Sequence, residues 1–204
     1  LASNAIGPAL CRLAEAALEE FTAMPLSEPV SRTKLHTRRI ELQGYQRTDG
    51  LFDIEAALTD TKTTGFPNED RGFIAAGEPL HGMVMRMTVD EDLLITAFEA
   101  ATDYSPYSIC PEVAPNFARL AGLRIGRGFL KAAAERVGGT HGCTHLRELL
   151  QQIATVAFQT VYPARAKRSA TTEPALLNTC YAYSSDSPIV RRRWPDRYTG
   201  VSGA

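Results

Sequence analysis

Between residues 38 and 102 apolar side chains recur at every second position, not every third or fourth. That period is the mark of a strand with one face in a core, and a helix cannot satisfy it. In 38–47, Ile40 and Leu42 share one face while Arg39, Glu41, Gln43 and Tyr45 share the other. Asp49-Gly50 follows, a dipeptide suited to a tight hairpin turn. Phe52, Ile54, Ala56 and Leu58 then alternate with Asp53, Glu55 and Thr59. A third stretch, 80–89, places His81, Met83, Met85 and Met87 on one face, and Asp90-Glu91-Asp92 turns the chain into a fourth, 93–102. Two adjoining hairpins predict an antiparallel sheet. The segment between them, 63–79, is rich in Gly and Pro and reads as a long loop of the kind that often has a function.

On either side the period becomes helical. Leu10, Leu13, Ala17 and Phe21 predict an N-terminal helix over 5–24, followed by a polar linker over 25–36. Helices are expected over 111–121, 127–137 and 145–161, within a helical region 111–162. In the last of them Leu146, Leu149, Leu150, Ile153 and Ala157 form one apolar stripe. Thr144 is the expected N-cap and Pro163 the expected stop. A basic linker, 164–174, leads to an extended, aromatic and Arg-rich tail, 175–204, whose Trp194 is expected to pack against the domain. Strands followed by helices predict an α+β fold: a curved antiparallel sheet, 38–103, packed by C-terminal helices in a single domain over 1–204.

Charge and composition exclude several function classes. The 204 residues are 44% apolar, enough for a core. Twenty-two basic against 23 acidic residues leave a net charge of -1, so neither nucleic acid nor an anionic membrane is an expected partner. The run Arg191–Arg193 beside Trp194 reads as local salt bridging. No apolar run approaches the ~18 residues of a membrane span. The four cysteines, Cys11, Cys110, Cys143 and Cys180, are too sparse for a disulfide scaffold. The acidic N-terminal segment does not read as a secretory leader. A cytoplasmic protein is therefore expected. There is no Walker loop and no G-x-S-x-G, and Gly126-Arg127-Gly128 follows a helical segment instead of a strand.

His81, Cys110, Cys143 and His145 all lie near predicted element ends. Cys143 and His145 flank the start of the strongest helix, where unpaired N–H groups favour a thiolate or a developing anion. A buried cysteine is more often a small hydrophobe, and a histidine among apolar residues is more often inert. His36 and His141 sit in polar loop contexts and are expected to be exposed. The polar face of the first hairpin, Arg39, Glu41, Tyr45, Asp53 and Glu55, reads first as cross-strand charge pairing. Its functional reading is a substrate wall covered by 63–79.

Several blocks resemble, in order, the bacterial domain-of-unknown-function family numbered 2889. They are Arg38-Arg39-Ile40-Glu41, Tyr45 to Arg47, Asp49-Gly50-Leu51-Phe52-Asp53-Ile54-Glu55, Asp60-Thr61-Lys62, Gly77-Glu78-Pro79-Leu80-His81 and Gly122-Leu123-Arg124-Ile125-Gly126. Gly138-Gly139-Thr140, Gly142-Cys143-Thr144-His145-Leu146 with Glu148-Leu149, Cys180 and Arg191-Arg192-Arg193-Trp194-Pro195 continue it, over about 38–198. The resemblance singles out His81, Cys110, Cys143, His145 and Cys180, and His141 departs from the small residue expected at its position. It implies a loose link to bacterial catabolism of aromatic compounds, plant phenolics included, and no mechanism.

The reading that follows is a cofactor-independent lyase, eliminating from a small, aromatic (phenolic) catabolite by acid–base catalysis. His81 and His145 are the expected acid–base pair, converging in one pocket lined by methionines and aromatics. Arg39, Tyr45, Asp53, Glu55, Arg86, Tyr107 and Cys143 are the expected substrate contacts, although Arg86 and His81 fall on opposite strand faces. Two alternatives stand beside it. One is a zinc enzyme or structural zinc protein using His81, Cys143 and His145 with Cys110 or Cys180. The other is a non-catalytic binding or scaffold domain. Self-association is left open.

Overall fold

A computed structural model describes residues 27–168 and 176–200. The chain divides into two compact units, Leu1–Lys34 and Leu35–Ala204. Of the first, 27–34 are exposed and without regular structure, and the helix expected over 5–24 lies outside the described residues.

In the second unit the alternating stretches form β1 (His36–Gln46), β2 (Phe52–Lys62), β5 (Pro79–Val89) and β6 (Ile95–Tyr104). They pair antiparallel in the order β1-β2-β5-β6. The even residues of β2 and the odd residues of β5 face the core together, as register pairs Leu58 with Met83, Ala56 with Met85 and Ile54 with Met87. These six side chains are buried. Full burial of such a side chain contributes roughly 1.5–3 kcal/mol, so the alternation alone selects this register over a one-residue slip.

The loop expected over 63–79 contains a small hairpin, β3 (Phe66–Asn68) with β4 (Gly72–Ile74). Ile74 is fully buried and anchors it. Asn68 Oδ1 accepts from the backbone N–H groups of Asp70 and Arg71, closing the turn. Leu93, expected as the start of the fourth strand, belongs instead to the preceding turn, with φ +62°. Asp90 Oδ1 accepts from the N–H groups of Asp92 and Leu94, which offsets that left-handed backbone.

Three helical segments follow and cover the core face. Cys110–Leu120 is a 3₁₀ helix, with Pro111 in its first turn and Pro115, which has no backbone donor, inside it. The next is α1 (Phe129–Val137), which ends at Gly138 as expected. Helix α2 (Thr144–Arg168) contacts β1, β2 and β5 through its Leu146, Leu149, Leu150, Ile153, Ala157 and Val161 stripe. It runs through Pro163 instead of stopping there. Val161 is buried just before it, and Arg168 beyond it pairs with Glu91 and Asp92, holding the final turn in place. Of the linker expected over 164–174, 164–168 are therefore helical. Gly44 of β1 lets α2 approach closely, for a Cβ there would overlap the Thr160 hydroxyl.

The expected extended tail instead contains α3 (Pro188–Arg193) between two single 3₁₀ turns. Ser187 caps α3 by accepting from the Val190 N–H. Trp194 lies against Tyr183 of the same tail, ring centroids 5.6 Å apart, with the Arg193 guanidinium over its ring.

Candidate functional site

The site is a row across three strands. Strand pairing sets Arg38 opposite Asp60, and Asp60 opposite His81. All lie on the core-facing side, at the end of the sheet where β1 begins. Asp60 is 1% exposed, and a buried carboxylate is costly unless its oxygens are fully partnered. They are. Arg38 donates from Nε to Oδ1 and from a terminal nitrogen to Oδ2, both at 2.8 Å, in a two-pronged pairing. His36 Nε2 meets Oδ1 and His81 Nδ1 meets Oδ2, each at 3.1 Å. A further Arg38 nitrogen donates to Glu148 of α2.

These contacts fix charges and proton positions. Burial pushes the Asp60 carboxyl up, but the Arg38 hydrogen bonds, and then the charges of Arg38, His81 and His36, outweigh it. The group sits below its ordinary value. An ionised carboxylate can only accept, so His81 Nδ1 and His36 Nε2 are donors. In neutral His81 the basic lone pair is therefore on Nε2. Burial, followed by the nearby His145, lowers His81 below its ordinary value against the opposing pull of Asp60.

His145 comes from the first turn of α2, and its ring lies 3.9 Å from that of His81, centroid to centroid, tilted by 33°. Gly142 makes this entry to the helix compact, since a Cβ there would overlap the Val137 carbonyl oxygen. Thr144 is the first helical residue, and the carbonyl of Cys143 accepts the opening bond from the Arg147 N–H. Cys143 Sγ lies 3.7 Å from His145 Nδ1. The two histidines expected to converge are thus together, with Cys143 beside them.

The other expected contacts lie elsewhere. Arg39, Tyr45, Asp53, Glu55 and Arg86 occupy the opposite face of the sheet, because their strand positions have the other parity. There Thr88 donates to Asp53 at 2.7 Å, and Arg86 lies between Glu55 and Glu99 at 3.7 and 3.6 Å. Tyr107 is exposed beyond β6. Met83, Met85 and Met87 are buried in the core among residues of the helices. An open cleft of about 520 Å³ lies instead between β1, α1 and α2, beside Arg38 and Glu148.

Asp60, His81 and His145 each offer a ligand atom, all within 4.8 Å of one another. Their third member is a carboxylate where the zinc alternative expected cysteines. Cys110, Cys143 and Cys180 are unbridged, and Cys180 is exposed in the tail. Arg38, Asp60, His36 and Glu148 were not among the expected site residues. His36 is the first residue of β1 and bonds Asp60, where a loop position had been expected. His141 is exposed, as expected. For Arg38, His36 and Asp60 the signal was parity: the face holding Ile40 and Leu42 continues back through Arg38 to His36, and that of Leu58 continues to Asp60.

Among the described residues no helix is long and apolar enough to cross a membrane. Neither the curated proteins nor the solved structures yield a match to the chain. A family model described as "Protein of unknown function (DUF2889)" matches residues 36–159, a span that includes His36, Arg38, Asp60, His81, Cys143, His145 and Glu148 but not Cys180 or the Arg-Trp segment. The chain belongs to the DUF2889 family.

Proposed function

We propose that Asp60, His81 and His145 form a proton-transfer centre, and that the protein is a cofactor-independent lyase acting on a small aromatic compound. The observation that carries this is the pairing of two stacked imidazoles in different environments, only one of them bound to a buried carboxylate. Asp60 orients His81 and holds its Nδ1 proton, leaving Nε2 as the base. In the reaction one proton passes from the substrate to His81 Nε2. Another passes from protonated His145 to the departing group or to the carbon it leaves. The protons balance, and no oxidant or reductant is consumed. Proton exchange between the neighbouring rings restores the starting state. The aromatic substrate class comes from the family resemblance. The free thiols fit a cytoplasmic setting.

The test is a mass-spectrometric screen of small phenolic compounds and aromatic acids for loss of water or of a side-chain carbon. On a converted substrate, His81→Ala and His145→Ala should each lower kcat by about 10²–10⁴-fold with KM little changed. Full activity in the double variant would defeat the reading.

A second reading takes Asp60, His81 and His145 as ligands for a divalent cation, favoured by their mutual distances. The Arg38 fork on both Asp60 oxygens weighs against it. Elemental analysis of purified protein separates the two: a stoichiometric metal lost in His81→Ala supports the second.

A further inference from the structure

We infer that the cleft between β1, α1 and α2 binds a small monocarboxylate with an apolar body, held at its charged end by Arg147. Arg147 and Gln151 stand one turn apart on the exposed side of α2 and both line the cleft. Arg147 is half-buried, and among the described residues its guanidinium has no hydrogen-bonding or ionic partner. The neighbouring Arg38 is already committed to Asp60 and Glu148. Among the described residues Arg147 is therefore the cation of this cleft whose donors are uncommitted, with a neutral amide beside it and the Glu148 carboxylate held by Arg38. Ile40, Leu130, Ala134 and Leu150 form the apolar part of its lining. A volume of about 520 Å³ is within the range of small-molecule sites. A planar carboxylate suits the fork of donors on an arginine, and an apolar body suits the remaining wall. The inference rests on the proton-transfer reading only in naming a substrate class for it. The cleft adjoins that centre through Arg38, and binding can be measured without turnover.

Benzoate and its neutral isostere benzamide are the probes, followed by isothermal titration and by amide chemical shifts of the whole chain. Benzoate should bind saturably, shift the amides of 147–152, and bind about tenfold or more tightly than benzamide. Arg147→Gln should weaken benzoate by about tenfold or more and leave benzamide unchanged, because the loss is of charge and not of fold. His81→Ala should leave benzoate binding unchanged, so a failure of the catalytic reading would not disturb this result. Absence of benzoate binding, equal affinity for the two probes, or equal affinity in Arg147→Gln would each overturn the inference.

Discussion

His81 and His145 lie ring against ring, 3.9 Å between centroids, one on a strand and one on the helix that covers it. Of these two rings it is His81 that bonds the buried carboxylate of Asp60. Two imidazolium ions this close would repel, so a proton on one ring disfavours a proton on the other.

That coupling predicts opposite shifts from two substitutions. His145→Ala removes a positive neighbour and should raise the His81 pKa. Asp60→Asn removes the attraction that favours protonated His81 and should lower it further. Titration of the imidazole carbons by NMR measures both. Shifts of the same sign would show that the two neighbours do not act as described.

Stability should fall with acid in two windows. His81 titrates below about 6.5 when folded, so the unfolded chain takes up that proton first. Its contribution is full above the ordinary histidine value and is lost as pH drops through the lower folded value. Asp60 acts in the same direction in a more acidic window: its contribution is present above the ordinary value of 3.8 and disappears as pH falls through the depressed one. The melting temperature should decline from about pH 7.5 to about pH 5, less steeply in His81→Asn. A parent profile flat over that span would contradict the assignment.

Asp60→Asn should also destabilise at neutral pH, because it leaves Arg38 and two histidine N–H groups facing a neutral amide. Breaking a buried, bonded ion pair typically costs 3–5 kcal/mol; with Arg38 partly exposed, about 2–4 kcal/mol is expected. Denaturant midpoints at constant slope provide the measurement, and a loss below about 0.5 kcal/mol would place the carboxylate outside the stability of the fold.

Gly44→Ala tests how closely α2 is seated on β1. The new methyl group would overlap Thr160, whose hydroxyl donates to the Val156 carbonyl. A cost of about 1–3 kcal/mol is expected, and Thr160→Ala in the same chain should recover most of it. Simple additivity of the two substitutions would mean that the helix can shift freely.

The strands were legible because alternation of apolar residues is a physical requirement of a one-sided sheet, and 38–102 meets it. The convergence of His81 and His145 followed from the same face rule combined with the start of the long helix. Asp60 was harder to see. It continues the Leu58 face, but a charge on a core face looks like a strand end until Arg38 and His36 are placed opposite it. That requires the register, which no single strand contains. Pro163 misled for a different reason: tertiary contacts on both sides outweigh one missing hydrogen bond, and only the fold reveals them. The 3₁₀ geometry of 110–120 was not legible in the apolar period, which marks a helical segment without fixing its hydrogen-bond pattern.

The row Arg38, Asp60, His81 has a consequence for how the chain reaches its native state. Sliding β2 by one residue against either neighbour would turn Asp60 toward solvent and strand three cationic or polar side chains without their common acceptor. Misaligned sheets would still bury some hydrocarbon, but none could assemble this row. The carboxylate thus acts as a proofreader of strand alignment. A molecule that has folded incorrectly lacks the Arg38–Asp60–His81 cluster altogether, so misalignment removes the candidate site and does not merely reshape it.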